Sequence, residues 1–89
     1  MNWSAQDVLV TGGASFIGSH LVEDLIAQGA TVRVADDFSS GSMDNLESVR
    51  SEIELVQGDL RDRKTAMEAT EGTDTVFHLA ANHGGRGYI

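Results

Sequence analysis

The sequence has no cysteine and no proline, and its 6 basic residues face 14 acidic ones. Without cysteine there is no disulfide, no thiolate metal ligand and no cysteine nucleophile. Without proline no extended loop is stiffened, and the 10 glycines leave many tight turns available. The formal net charge is −8 and Lys64 is the one lysine, so no basic patch exists to meet phosphate backbones; a nucleic-acid partner is excluded. The acidic, lysine-poor balance fits either a salt-adapted surface or a plainly acidic segment, and it bears on solubility rather than fold. No apolar run approaches the ~20 residues of a membrane span, so no membrane partner is expected. The start, MNWSAQDVLV, lacks a basic segment followed by a long apolar stretch. No secretory leader is therefore expected, and the cytoplasm is the expected location.

What is present is 40% hydrophobic and 22% charged, the balance of a soluble globular domain. The 89 residues suffice for one small domain, near the low end for a self-sufficient core. DVLVT, Asp7 to Thr11, reads as a buried strand that runs into glycines. From Phe16 to Gln28 the period changes. Ile17, Leu21 and Leu25 fall four apart with Val22 and Ile26 beside them, which predicts an amphipathic helix stopped by Gly29. TVRVAD, Thr31 to Asp36, is a second strand, and a Ser/Gly loop follows. Met43, Leu46 and Val49 place a weaker helix over Met43 to Arg50. Ile53 to Gln57 is a third strand, and Asp62 caps a short helix running to Thr70. Thr75 to Leu79 is a fourth strand. The order is βαβαβαβ with short links, and no internal repeat or linker interrupts it. Such alternation predicts an α/β fold, a Rossmann-type parallel sheet of order 3-2-1-4 with helices on both faces, forming one domain over residues 1–89.

The first strand opens directly onto Thr11-Gly12-Gly13-Ala14-Ser15-Phe16-Ile17-Gly18 and a helix begins there. Unpaired N–H groups and the positive end of the helix dipole would face an incoming pyrophosphate. Gly12 makes the tight turn and Gly18 lets the helix pack close. Glycines between a strand and a helix also serve as plain turns, so the loop needs its context. That context is a first strand, an amphipathic helix and an acid at the end of strand two. The acid is Asp36, 36 − 18 = 18 residues beyond Gly18, close to the ~20 expected of a ribose-binding carboxylate. A carboxylate there accepts from the adenosine ribose hydroxyls and repels a 2′-phosphate. The next residue is Asp37 rather than arginine, so the expected cofactor is NAD and not NADP.

TGGASFIGSHL resembles the TGxxGxxG signature of the extended short-chain dehydrogenase/reductases, the NAD-dependent epimerase/dehydratase family. VRVADDFSSG is similar to that family's stretch after strand two, GDLRD to its Asp-Leu after strand three, and DTVFHLAA to its fourth strand. The resemblance covers nearly the whole chain. It implies that Gly12, Ser15, Phe16, Ile17 and Gly18 form the phosphate loop, and that Asp36 holds the ribose with Asp37 and Phe38 nearby. It places Asp59 and Leu60 against the adenine, the aspartate accepting from the amino group. Leu79, Ala80 and Ala81 would line the cofactor beyond strand four, with His83 near its phosphate–ribose end. The tail LAANHGGRGYI is similar to sugar-nucleotide epimerases of the GDP-mannose 3,5-epimerase type, which implies a nucleotide-sugar substrate for the full-length protein. One position departs from the pattern: Ser15 stands at the middle glycine. A serine there either crowds the pyrophosphate, or takes a positive φ at a cost of ~1–2 kcal/mol, or turns its hydroxyl to a phosphate.

The family's chemistry uses a Tyr-x-x-x-Lys pair, the tyrosine as general acid/base and the lysine lowering its pKa. The one tyrosine here is Tyr88, and no lysine follows it. The expectation is therefore the NAD-binding first part of a sugar-nucleotide epimerase or dehydratase, cut after strand four and not catalytic by itself. The alternative is a binding module without chemistry, an NAD-sensing regulator or a scaffold. No metal is expected. His78 lies in an apolar strand and reads as a packed residue rather than half of a metal pair with His83. His20 reads as structural, Trp3 as packing, and Arg61, Arg63 and Lys64 as a solvated helix start. Strand four should form a bare edge, with apolar side chains of strands one and four meeting water, so self-association is expected.

Overall fold

A computed structural model describes residues 3–39 and 41–79. Four strands, β1 (Asp7–Thr11), β2 (Thr31–Asp36), β3 (Ile53–Gln57) and β4 (Thr75–His78), alternate with helix α1 (Phe16–Ala27), a 3₁₀ helix (Met43–Glu52) and helix α2 (Arg63–Thr70). All pairings are parallel and the strand order is β3-β2-β1-β4. This is the Rossmann arrangement that the alternation of apolar runs predicts.

The two faces of the sheet are covered unequally. Val8, Val10, Val32 and Val34 point to the side where α1 and the 3₁₀ helix lie, and pack with Val22, Leu25, Leu46 and Val49. Burying a valine fully is worth about 1.5–3 kcal/mol, so this face carries most of the stabilisation. On the other face Leu9, Ala35 and Ala69 form a smaller cluster, with Val56 and Leu60 against it. Arg33 fastens α2 there. Its Nη1 donates to the carbonyls of Glu68, Ala69 and Glu71 at 3.2, 2.9 and 2.6 Å, and its Nε donates to Glu54. A cation on these last carbonyls satisfies groups that the helix leaves without partners.

Several local expectations change. The buried face of α1 is Gly18, Ser19, Val22 and Leu25, whereas Ile17 is 74% exposed. The close approach at Gly18 turns the helix so that Ile17 leaves the apolar stripe. The second crossover is 3₁₀ rather than α, in keeping with Met43, Leu46 and Val49 spaced three apart. α1 ends one residue early, with Gln28 as its C-cap and Gly29 at φ 94° beyond it. β4 ends at His78, although Leu79 N–H still donates to the Thr11 carbonyl at 3.0 Å. Strand one does not meet water through Leu9, which is fully buried under Ala69 and its neighbours. Of these two strands it is β4 that exposes an apolar side chain, Val76, while Phe77 turns to the α1 side and lies 5.7 Å from the Trp3 ring. His78 is not a packed residue either. It is exposed, and its Nδ1 lies 2.8 Å from Thr11 Oγ1.

Candidate dinucleotide-binding site

The carboxyl ends of the parallel strands meet at one edge of the sheet, where open α/β sheets hold their ligands. The loop after β1 makes its turn at Gly12, φ 72°. Ser15 then caps α1. Its Oγ accepts from Gly18 N–H at 3.0 Å and donates to the Gly12 carbonyl at 2.7 Å. Its φ is −71°, so left-handed strain is absent, and the hydroxyl is engaged within the loop rather than directed at a ligand. Gly18 is required by space: a Cβ there would lie 2.3 Å from the Gly12 carbonyl oxygen. Phe16 and Ile17 follow the cap with side chains 70% and 74% exposed. Their N–H groups, the first two of α1, find no acceptor among the described residues. Two unpaired donors at the positive end of a helix suit the oxygens of a pyrophosphate.

Asp36 lies at the end of β2 and is only 7% exposed. Its Oδ2 accepts from Ala14 N–H at 2.9 Å and its Oδ1 from Phe38 N–H at 2.7 Å. One carboxylate thus joins the loop after β1 to the loop after β2. Each oxygen retains a lone pair for a ribose hydroxyl. Phe38 holds a left-handed conformation, φ 61°, which costs a non-glycine residue about 1–3 kcal/mol and which its bond to Asp36 sustains.

Asp37 and Asp59 line the outer side. The Asp37 carboxyl is held below the usual range by the N–H and hydroxyl of Ser39, with burial and the charge of Asp59 opposing this. Asp59 is lowered by Arg61, whose guanidinium and N–H both donate to its carboxylate, the shortest bond being 2.7 Å from Nη2. An ionised Asp59 accepts only, which suits an amino group and not a carbonyl. Leu60 is half-buried against the Leu9 cluster, and Leu79 is 40% exposed at the end of β4. Ala80, Ala81 and His83 lie outside the described residues. Asp62 caps α2 as expected, Arg61, Arg63 and Lys64 are exposed, and exposed His20 sits edge-on to Phe16. Among the described residues no group of acids and histidines is placed to hold a metal, and no helix is long and apolar enough to cross a membrane.

Sequence reasoning passes over Ala14, Ser42 and Asn45. Ser42 carries a visible signal, a serine before a helical stretch, and it does cap the 3₁₀ helix through Asp44 N–H. The reach of Asn45 to the Ala14 carbonyl, 2.8 Å, joins residues 31 apart and has no local signature.

The model of the NAD dependent epimerase/dehydratase family matches residues 8–88. The chain belongs to this family. It is 40% identical over 73 residues to a UDP-N-acetyl-alpha-D-glucosaminuronate decarboxylase of Bacillus cytotoxicus, a match that covers 82% of the chain and 23% of that relative. Among solved structures, an epimerase from Methanothermobacter thermautotrophicus superposes with a TM-score of 0.83 at 40% identity, covering 90% of the chain and 24% of that structure. The UDP-glucose 4-epimerase of Thermus thermophilus, solved in complex with NAD, gives 0.77 at 42% identity over 86% of the chain and 24% of its own. The chain therefore spans about a quarter of the length of the family members it matches.

Proposed function

We propose that this chain is the NAD-binding portion of a nucleotide-sugar epimerase or dehydratase. The observation that carries the reading is the pairing of two N–H groups without an acceptor among the described residues, those of Phe16 and Ile17 in the first turn of α1, with the buried acceptor Asp36 at the end of β2. The pyrophosphate is held by those N–H groups, the adenosine ribose by Asp36 with Asp37 and Phe38 beside it, and the adenine by Asp59 and Leu60. Leu79 at the end of β4 joins the binding surface, and Ala80, Ala81 and His83, which lie outside the described residues, are assigned to the cofactor from the sequence motif alone. NAD supplies a place for hydride taken from a sugar carbon. The residues of this chain bind and orient the cofactor, and Asp36 excludes a 2′-phosphate by charge. The sugar nucleotide and the general acid/base belong to the longer protein. NAD-complexed relatives of similar fold support the reading.

Calorimetry with NAD and NADP tests it. NAD should bind, and NADP at least tenfold more weakly, since a carboxylate beside a phosphate is worth at least about 1.4 kcal/mol of discrimination. NADP binding as tight as NAD overturns the assignment of Asp36.

A further inference from the structure

Asn45 stands in the first turn of the 3₁₀ helix, outside every motif of the dinucleotide site. Its Nδ2 donates to the carbonyl of Ala14 at 2.8 Å, and Ser42 N–H donates to the same oxygen at 3.0 Å. Ala14 is fully buried. Its own N–H is taken by Asp36 Oδ2. The middle of the phosphate loop is thus held from three sides, by a carboxylate, a backbone amide and a side-chain amide. Gly41 closes the clamp: a Cβ there would lie 2.8 Å from the Ala14 carbonyl carbon. The peptide that follows Ala14 leads into Ser15 and then to the free N–H groups of Phe16 and Ile17. Fixing the Ala14 carbonyl inward fixes where that peptide starts, and so where the two donors point.

Resting on the NAD-binding reading, we infer that Asn45 is a positioning residue for pyrophosphate recognition, acting through the Ala14 carbonyl without touching the ligand. A loop held in its binding conformation beforehand loses less freedom when the phosphates arrive. A merely structural asparagine would weaken every ligand alike. A positioning asparagine weakens those that carry a pyrophosphate.

Asn45→Asp keeps the shape of the side chain and replaces the donor with an acceptor that opposes the Ala14 oxygen. In the full chain it should weaken ADP roughly tenfold, because a loop no longer held beforehand must be ordered when the phosphates arrive. Adenosine, which has the ribose but no pyrophosphate, should change less than about twofold. Amide exchange over residues 12–18 should quicken by a similar factor, while α2 keeps its protection. Gly41→Ala, whose Cβ would crowd the same carbonyl, should reproduce this pattern and replaces the first variant if that fails to fold. Equal losses for ADP and adenosine, or unchanged exchange over 12–18, overturn the role of Asn45. Failure of the wild-type chain to bind ADP or NAD overturns the NAD reading instead, and the exchange comparison then still decides whether Asn45 holds the loop.

Discussion

Ser15 replaces the glycine of the family pattern, and the residue works as a helix cap. Ser15→Ala removes both bonds of the hydroxyl and should lower stability by about 1 kcal/mol, read from thermal unfolding. Ser15→Gly should cost only a few tenths of a kcal/mol and, by clearing the Cβ from beside the phosphates, should tighten NAD binding. Unchanged or weaker binding would mean that the serine does not crowd the cofactor. Asp36→Ala should narrow the preference for NAD over NADP and also destabilise the free chain, because it strands the buried N–H of Ala14 at about 1–3 kcal/mol and removes the acceptor of the half-buried N–H of Phe38. The exposed pair Asp59–Arg61 behaves differently. The Asp59 carboxyl is lowered in the folded chain, so its stabilisation is complete above about pH 4 and is lost as pH falls through the lowered value. Asp59→Asn should therefore melt slightly lower than wild type at pH 7, with the gap closing in acid. A gap that does not narrow as the pH falls would show that the loss is one of shape rather than charge.

At the scale of elements, Arg33 is the bond between β2 and the C-terminal end of α2. Arg33→Ala should cost about 1.5–3 kcal/mol, the usual worth of hydrogen bonds to a charged group, and Arg33→Lys should recover only part of it, since one ammonium cannot sit among the three carbonyls as Nη1 does and also donate to Glu54 as Nε does. Denaturant unfolding of the three proteins checks this. β1, β2 and β3 were legible in the sequence to the residue, because each is a short apolar run ended by glycine or aspartate, whereas β4 runs on into Leu79 without such a stop and reads one residue too long. The three helical segments were legible in position, but the facing of α1 was not. Ile17, Leu21 and Leu25 form as good a stripe on paper as Gly18, Val22 and Leu25, and only the contact of Gly18 with the Gly12 carbonyl selects between them. The site divides in the same way. Gly12, Gly18 and Asp36 stand out because turn, close packing and charge each demand one residue type at one place. Asn45 and the Ala14 carbonyl do not, because any polar residue of the right reach would leave the same local pattern.

In the molecule as a whole, two crossovers cover one face and the short α2 covers only part of the other. Among the described residues β4 has β1 on one side and no strand on the other. Val76 is 46% exposed beside that edge. The 89-residue chain handled by itself should therefore associate as its concentration rises, and Val76→Lys should suppress this, as charged side chains do on natural edges. Sedimentation velocity decides it, a concentration-independent monomer being the contrary result. The order of the sheet also constrains how it forms. β1 is a central strand that precedes both of its neighbours, its partner residues in β2 lying 24 positions further on and those in β4 67. Asp7 N–H waits for the carboxylate of Asp74, and Thr11 for His78, in each case 67 residues away. Closing a loop of that length makes folding slow relative to local pairing. During synthesis β1 and β2 can join as soon as the first crossover has emerged, but one edge of β1 stays open until β4 follows. For that interval the nascent sheet shows a Val/Leu edge that the finished sheet hides, and it is then that chaperones or another nascent copy have their best access to it.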